Sequence, residues 1–462
     1  MAVLTGARFR RFRRFFAMLI VCAAAAYFHS LFMAPPNIRA VAGFTLQTAA
    51  ASPPKPQRGL YDEAYLLDAA AIFSSLKGVQ RAGYEKIQGD DRQHALPLIT
   101  GDGFRHMSDV FIELDNTIAE GVAEDFESAG WCAGLGADLN LTSNEALVLF
   151  VAAEASPKVF AAACIEKITR PFVLVTHNGD ESFPGDASAL LDLPLLVHWF
   201  TQNCDRAHAK LTCVPIGLEN RKWGPPREKG HHGSMPELMM GMLALFAPRE
   251  PAAGVVTRAL VTRTMQQTTE QSVPPIEHTW AYFDRGTHAK VRDPLWTFIL
   301  KAHEAAQPHL LWIRIAGAGG RGNVLAHELY RFMLTLAALI CPRGNGLDTH
   351  RVWESLYLGR TTIVASGTLD PLFKDLPVLI LDDWRQIFET GSEELVINTT
   401  QAFAARALHG PPFAVEKLFM MHWLCLVGKA ARRETEYCGV DAIRNTLSGE
   451  SARQRQRRKL AM

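Results

Sequence analysis

The sequence lacks the spacings that announce several common chemistries. There is no C-x-x-C pair, which leaves zinc and dithiol redox sites without support. No G-x-S-x-G elbow is present, which argues against an α/β hydrolase. No two aspartates stand at i and i+2, so a D-x-D carboxylate pair for a divalent cation is missing. Residues 1–60 hold eight basic residues and no Asp or Glu; the first acid is Asp62. What is present is ordinary globular material: 462 residues, 48% hydrophobic and 21% charged, which excludes fibrous and disordered classes. That length suggests two or three domains of roughly 100 to 200 residues. The net charge of +1 hides a division, because the chain between the basic N-terminal stretch and the basic run from Arg453 is acidic. A basic nucleic-acid-binding body is therefore excluded as a partner reading.

After the clustered arginines Arg8, Arg10, Arg11, Arg13 and Arg14, residues 15–34 carry no charge. Such a run is long enough to cross a bilayer as a helix at ~1.5 Å per residue. Arginines on its N-terminal side orient the body away from the cytoplasm. The competing readings are a cleaved signal peptide, with small residues at 24–26 or 40–42, and an organelle transit peptide. The run exceeds the ~7 to 15 residues of a usual signal core, which favours an uncleaved signal anchor. The expected plan is a cytoplasmic tail (1–14), an anchor (15–34) and a Pro-bearing linker (35–60). An N-terminal α/β domain (61–235), a C-terminal α/β domain (236–430) and a tail (431–462) follow. Outside the apolar run seven cysteines remain, an odd number, so at least one is free or paired between chains in an oxidising compartment. Cys204 and Cys213 either close a short loop or are buried thiols. Asn140 and Asn398 open glycosylation sequons.

Short apolar runs alternate with helical patterns from about residue 60, which argues for α/β layering. Runs 146–152, 172–176, 195–199 and 211–216 read as buried strands of the first half, with a crossover helix over 157–168. Runs 256–262, 310–315, 337–341, 361–365 and 378–381 do so in the second. A polar stretch at 223–236 marks the boundary.

The most informative stretch is 339–366, LICPRGNGLDTHRVWESLYLGRTTIVAS. A strand ends at Cys341, Pro342, Gly344 and Gly346 make a tight loop, and Asp348 or Thr349 caps a helix that Gly359 ends. The next strand closes a β-loop-α-β unit whose loop lies at a carboxyl edge, where open α/β sheets bind ligands. Backbone N–H groups at the helix start and the Arg343 guanidinium suit a phosphate or diphosphate. Glu354, one turn in, suits ribose hydroxyls. The plainer reading is a surface pair of Arg351 with Glu354 at i,i+3.

The run CPRGNGLDTHRVWESLYLG, followed by a β-type strand, resembles the C-terminal signature of exostosin-like glycosyltransferases: a C-P-x-G loop, an R-x-x-E helix, a Gly and a strand. FVLVTHNGDE (172–181) and VPIGLENRKW (214–223) resemble segments of bacterial and protist relatives. The resemblance implies a GT-B fold, two Rossmann-like α/β domains facing a cleft, here behind one N-terminal transmembrane helix. It implies transfer of a sugar from a nucleotide sugar, usually a UDP-sugar, to a glycan or glycoprotein, in a type II Golgi membrane protein. Arg343 and Arg351 would then lie near the donor diphosphate and Glu354 on the ribose, with Gly344, Asn345, Asp348 and His350 on the donor side. Thr362 departs from the Pro that relatives carry before Ile-Val, which changes strand entry. With D-x-D missing, the working expectation is a metal-free reaction without a cofactor, the diphosphate charge offset by arginine and a helix N-terminus. The alternative is a non-catalytic GT-B scaffold that binds a glycan or partner chain.

An inverting transfer needs a base for the acceptor hydroxyl. The loop after the 172–176 strand offers Asp180 as first candidate and His177 as second, against a turn aspartate and a hydrogen-bonded structural histidine. Glu219, Asn220 and Arg221, at another strand exit, either line the same edge or form a domain-linking salt bridge. The glycines at 317–322, His231-His232, and the Asp90-Asp91 and Asp382-Asp383 pairs read as loops. An apolar helix around 413–427 reads as packing on a sheet.

Overall fold

Six consecutive apolar residues in Leu147–Ala152 cannot alternate between core and water, so a strand there requires a sheet covered on both faces. The computed structural model describes residues 98–112, 141–153, 164–220, 239, 279–305, 313–315, 326–411 and 413–438, and it holds two such sheets. The first contains β1 (Val110–Ile112), β2 (Leu147–Ala152), β3 (Phe172–His177), β4 (Leu196–Thr201) and β5 (Leu211–Cys213), parallel and adjacent in that order. The second contains β6 (Thr279–Ala281), β7 (Ile313–Ile315), β8 (Ala338–Ile340), β9 (Thr361–Ala365) and β10 (Val378–Leu381), parallel in the order β10-β9-β8-β6-β7. The expected α/β class with two parallel sheets is what forms, an arrangement compatible with two Rossmann-like units.

Alternation along the strands sorts the core into three layers. Leu147, Leu149 and Val151 of β2 face a cluster on the outer side of the first sheet, which includes Leu190, Leu191 and Trp199. Val148, Phe150 and Ala152 face a central cluster. Leu339 and Val364 of the second sheet join that same cluster, while Ala338, Ile340 and Ile363 point the other way into a third. The two sheets thus share one continuous apolar layer.

The helices follow from caps and stops. In α1 (Gly101–Met107), Thr100 Oγ1 accepts the Gly103 N–H, a side-chain N-cap. Helices α2 (Ala289–Glu304), α3 (Ala326–Leu334), α4 (His350–Tyr357) and α5 (Ser392–His409) belong to the second half. Gly359, at φ +68°, supplies the left-handed residue just past the end of α4, as its place in the sequence suggests. Asn398 is exposed on α5, and its sequon partner Thr400 is buried there.

The expected apolar helix at 413–427 breaks at Phe419 into a 3₁₀ turn (Val415–Leu418) and α6 (Met420–Ala430). This segment returns to the first half. Phe419 bridges Leu98, the Ala146 N–H donates to Ala431 O at 2.9 Å, and buried Arg433 pairs with buried Asp109. A tail beginning at 431 is therefore corrected: residues 431–438 are part of the packed body. Cys204–Cys213 and Cys425–Cys438 are disulfides, Cys164 is also disulfide-bonded, and Cys341 is a buried free thiol.

The 15–34 run, the linker, the 223–236 boundary, the 256–262 strand, the 317–322 glycines, both histidines at 231–232, Asp90-Asp91, Asn140, Arg221 and the run from Arg453 lie outside the described residues. Among the described residues, no helix is long and apolar enough to cross a membrane.

Candidate functional site

Neighbours β6 and β8 are the point at which strand order reverses in the second sheet. Connections leaving such a pair run in opposite directions and open a crevice at the carboxyl edge. Two loops flank it, 282–288 after β6 and 341–349 after β8. Arg292 of α2 sews them together, its Nε donating to Arg343 O (2.8 Å), Nη2 to Pro342 O (3.1 Å) and Nη1 to Asp284 O (3.3 Å). Positive charge gathers here. His288, the left-handed residue before α2, has its pKa lowered by burial and then by the charges of Arg343, Lys290 and Arg292. Arg285, in the same loop, pairs with Asp293.

The loop after β8 is fixed from both sides. Arg343 curls back on it, Nη2 donating to Asn345 O (2.7 Å) and Nε to Gly344 O (3.3 Å), and partial burial lowers its pKa. Gly346 is a steric requirement, since a Cβ there would sit 2.6 Å from Asn203 Nδ2. That close approach lets Asn203 Oδ1 accept the Asp348 N–H at 2.8 Å. Asp348 is a buried strap, not a helix cap: Oδ2 accepts Ile216 N–H and Trp353 Nε1–H, and Oδ1 accepts Thr349 N–H, each at 2.8 Å. Burial pushes its carboxyl up to about 6 against the pull of those donors.

On α4, Arg351 and Glu354 do form an i,i+3 pair, Nη1 to Oε2 at 2.6 Å, but not on the surface, since Glu354 is buried. Tyr330 of α3 donates its hydroxyl to Glu354 Oε1 at 3.1 Å, and the Arg351 guanidinium lies over the Tyr282 ring. Burial opposes the Arg351 charge, and Glu354, Tyr330 and Cys341 outweigh it, holding its pKa above the ordinary value. Glu354 Oε2 faces the arginine without hydrogen-bond alignment, so it keeps acceptor capacity.

Across from this loop stands the carboxyl edge of the first sheet. Asp180 is exposed there and accepts Asn345 Nδ2–H at 3.2 Å, which brings together two candidates from opposite halves of the chain. His177 is buried, with Nε2 on Pro215 O (3.0 Å) and Nδ1 accepting the Asn178 N–H (2.9 Å). Burial lowers its pKa to about 4, so it is a neutral structural residue with neither nitrogen presented to an acceptor. His350, first residue of α4, donates Nδ1–H to Gly217 O (2.8 Å) and sets Nε2 3.3 Å from Glu219 Oε2. The salt bridge expected of Glu219 between the halves is this one. Burial opposes the His350 charge, but Glu219 outweighs it and raises the pKa to about 9. Glu219 is correspondingly lowered, its own burial overcome by the His350 bond.

The structure brings Arg343, Gly344, Asn345, Asp180, Asp348 and His350 to one edge and sets Arg351 and Glu354 beneath it. Sequence reasoning missed the β6 side, Arg285, His288, Lys290 and Arg292, because the three residues of β6 show no period. The available signal was Gly286 among basic residues just before a helix. The chain matches no protein-family model and no curated protein.

Proposed function

We propose that the chain is a glycosyltransferase of GT-B type that transfers a sugar from a nucleotide sugar, a UDP-sugar by the resemblance, to a glycan or glycoprotein acceptor. The observation that carries this reading is the switch point of the second sheet, flanked by Arg343 and the basic 284–292 segment and closed by the first turn of α4. A diphosphate would lie against those cations and the N–H groups at the start of α4, and a ribose hydroxyl would fill the spare acceptor of Glu354 Oε2. In this reading the arginines offset the leaving-group charge, and the reaction runs without a metal. The return of residues 413–438 to the first half supports a two-unit body worked as one. The disulfides suit an oxidising lumen, in keeping with a type II Golgi membrane protein.

The test is calorimetry of the purified full-length chain with UDP, then transfer from a panel of UDP-sugars with and without chelator. UDP binding with transfer unaffected by chelator is the expected result. Transfer lost in chelator and restored by Mn²⁺ overturns the metal-free part, and binding of glycans without UDP affinity favours the scaffold reading.

A further inference from the structure

The Glu219–His350 pair is poorly explained as a structural bridge. Surface pairs contribute only about 0 to 1 kcal/mol, and this one keeps both side chains about one-third open, 34% and 32%. Its partners come from the two halves: Glu219 follows β5 of the first sheet, and His350 opens α4 of the second. Each is held in place by backbone. Glu219 Oε1 accepts the Asn220 N–H at 3.1 Å, and His350 Nδ1–H is spent on Gly217 O. What remains, Glu219 Oε2 and His350 Nε2–H, face each other. The other charged or titratable groups bearing on His350 are Glu354 and Asp348 from its own unit and His177 from β3.

We propose that substrates split this ion pair, Glu219 taking the acceptor hydroxyl and His350 taking the diphosphate. The inference rests on the glycosyl-transfer reading and gives that reaction its acid and base sides. The acceptor oxygen bonds to the sugar C1 while the bond from C1 to the diphosphate oxygen breaks, its electron pair leaving with the diphosphate. The hydroxyl proton moves to the Glu219 carboxylate, and the charge released on the diphosphate is met by the His350 imidazolium at the head of α4. Until substrate arrives, each group neutralises the other. Glu219 thereby replaces Asp180 and His177 as base: Asp180 sits on the exposed rim, and both nitrogens of His177 are engaged.

The experiment compares the full-length chain with Glu219→Gln, Glu219→Asp and His350→Gln, using UDP as binding probe and the UDP-sugar that the wild-type chain transfers. Glu219→Gln is expected to lower kcat about 10²- to 10⁴-fold with UDP affinity within about threefold of wild type, and Glu219→Asp to recover part of the loss. His350→Gln is expected to weaken UDP binding about tenfold, the loss of one charge-assisted hydrogen bond. The acidic limb of the wild-type pH–kcat profile should vanish in Glu219→Gln measured at its residual rate. Transfer by Glu219→Gln within threefold of wild type overturns the base assignment and leaves the glycosyltransferase reading standing. A wild-type chain that neither binds UDP nor transfers sugar removes that reading and this inference together.

Discussion

The Arg433–Asp109 pair joins the end of the described chain to the start of the first sheet with side chains 3% and 4% exposed, while Arg351–Glu354 lies at the switch point with 23% and 4%. Both are buried carboxylates against guanidinium, yet their surroundings differ. Asp109 Oδ2 also accepts the Val148 N–H at 2.8 Å, so the carboxylate that meets Arg433 is simultaneously fixed to β2. Glu354 is met at Oε1 by Tyr330 and leaves Oε2 without hydrogen-bond alignment, beside a guanidinium that still reaches solvent. The first carboxylate is tied to a strand backbone as well as to its arginine, and the second is held by two side chains, Arg351 and Tyr330. A buried ion pair is weak support for stability in itself, and what separates the two is that the Arg351 guanidinium reaches solvent where that of Arg433 does not.

The distinction breaks most readily at the first pair. Asp109→Ala removes the buried carboxylate opposite Arg433 and should destabilise folding by about 3 to 5 kcal/mol in denaturant melts, without a separate effect on UDP affinity when the chain is folded. Glu354→Ala should instead weaken UDP binding by about tenfold or more with a smaller loss of thermal stability, as expected for a hydrogen bond to a charged group. If calorimetry shows unchanged UDP affinity in Glu354→Ala, that pair is structural as well and the contrast disappears. Arg343→Ala should cost about tenfold in UDP affinity, roughly 1.4 kcal/mol, with little change in melting temperature. The smallest effect is on pH dependence. His350 is raised from 6.5 to about 9, so its contribution to stability is full below pH 6.5 and is lost as pH rises through about 9. The melting temperature of the wild-type chain should fall over that window, and His350→Gln should flatten the fall.

The sequence carried the second half better where strands were long. β9 and β10 were legible to the residue because Thr361–Ala365 and Val378–Leu381 are apolar or β-branched runs bounded by turn residues. β1 and β6, three residues each, exist because neighbours pair with them, which no local pattern records. The strand order, and with it the switch point, was equally invisible. At the site, the glycine loop and the α4 start were legible from Gly346, Thr349 and Gly359. The role of Asp348 as a strap to Ile216, and the anchoring of His350 on Gly217 that sets it beside Glu219, depend on contacts over 132 and 133 positions. The C-terminal boundary failed for a related reason: Arg433 reads as a tail charge until Asp109 is placed beside it.

The central apolar layer limits how the protein can move. Phe150 and Val175 from one sheet, and Trp353, Tyr357 and Val364 with the other, belong to a single buried cluster sealed by Trp423 of α6. Opening the halves like jaws would wet it, at about 1.5 to 3 kcal/mol for each large side chain exposed. A wide hinge opening of that layer is therefore unfavourable. In the proposed transfer, substrates would instead enter along the polar rim formed by Asn345, Asp180, Glu219 and His350, which leaves that layer dry.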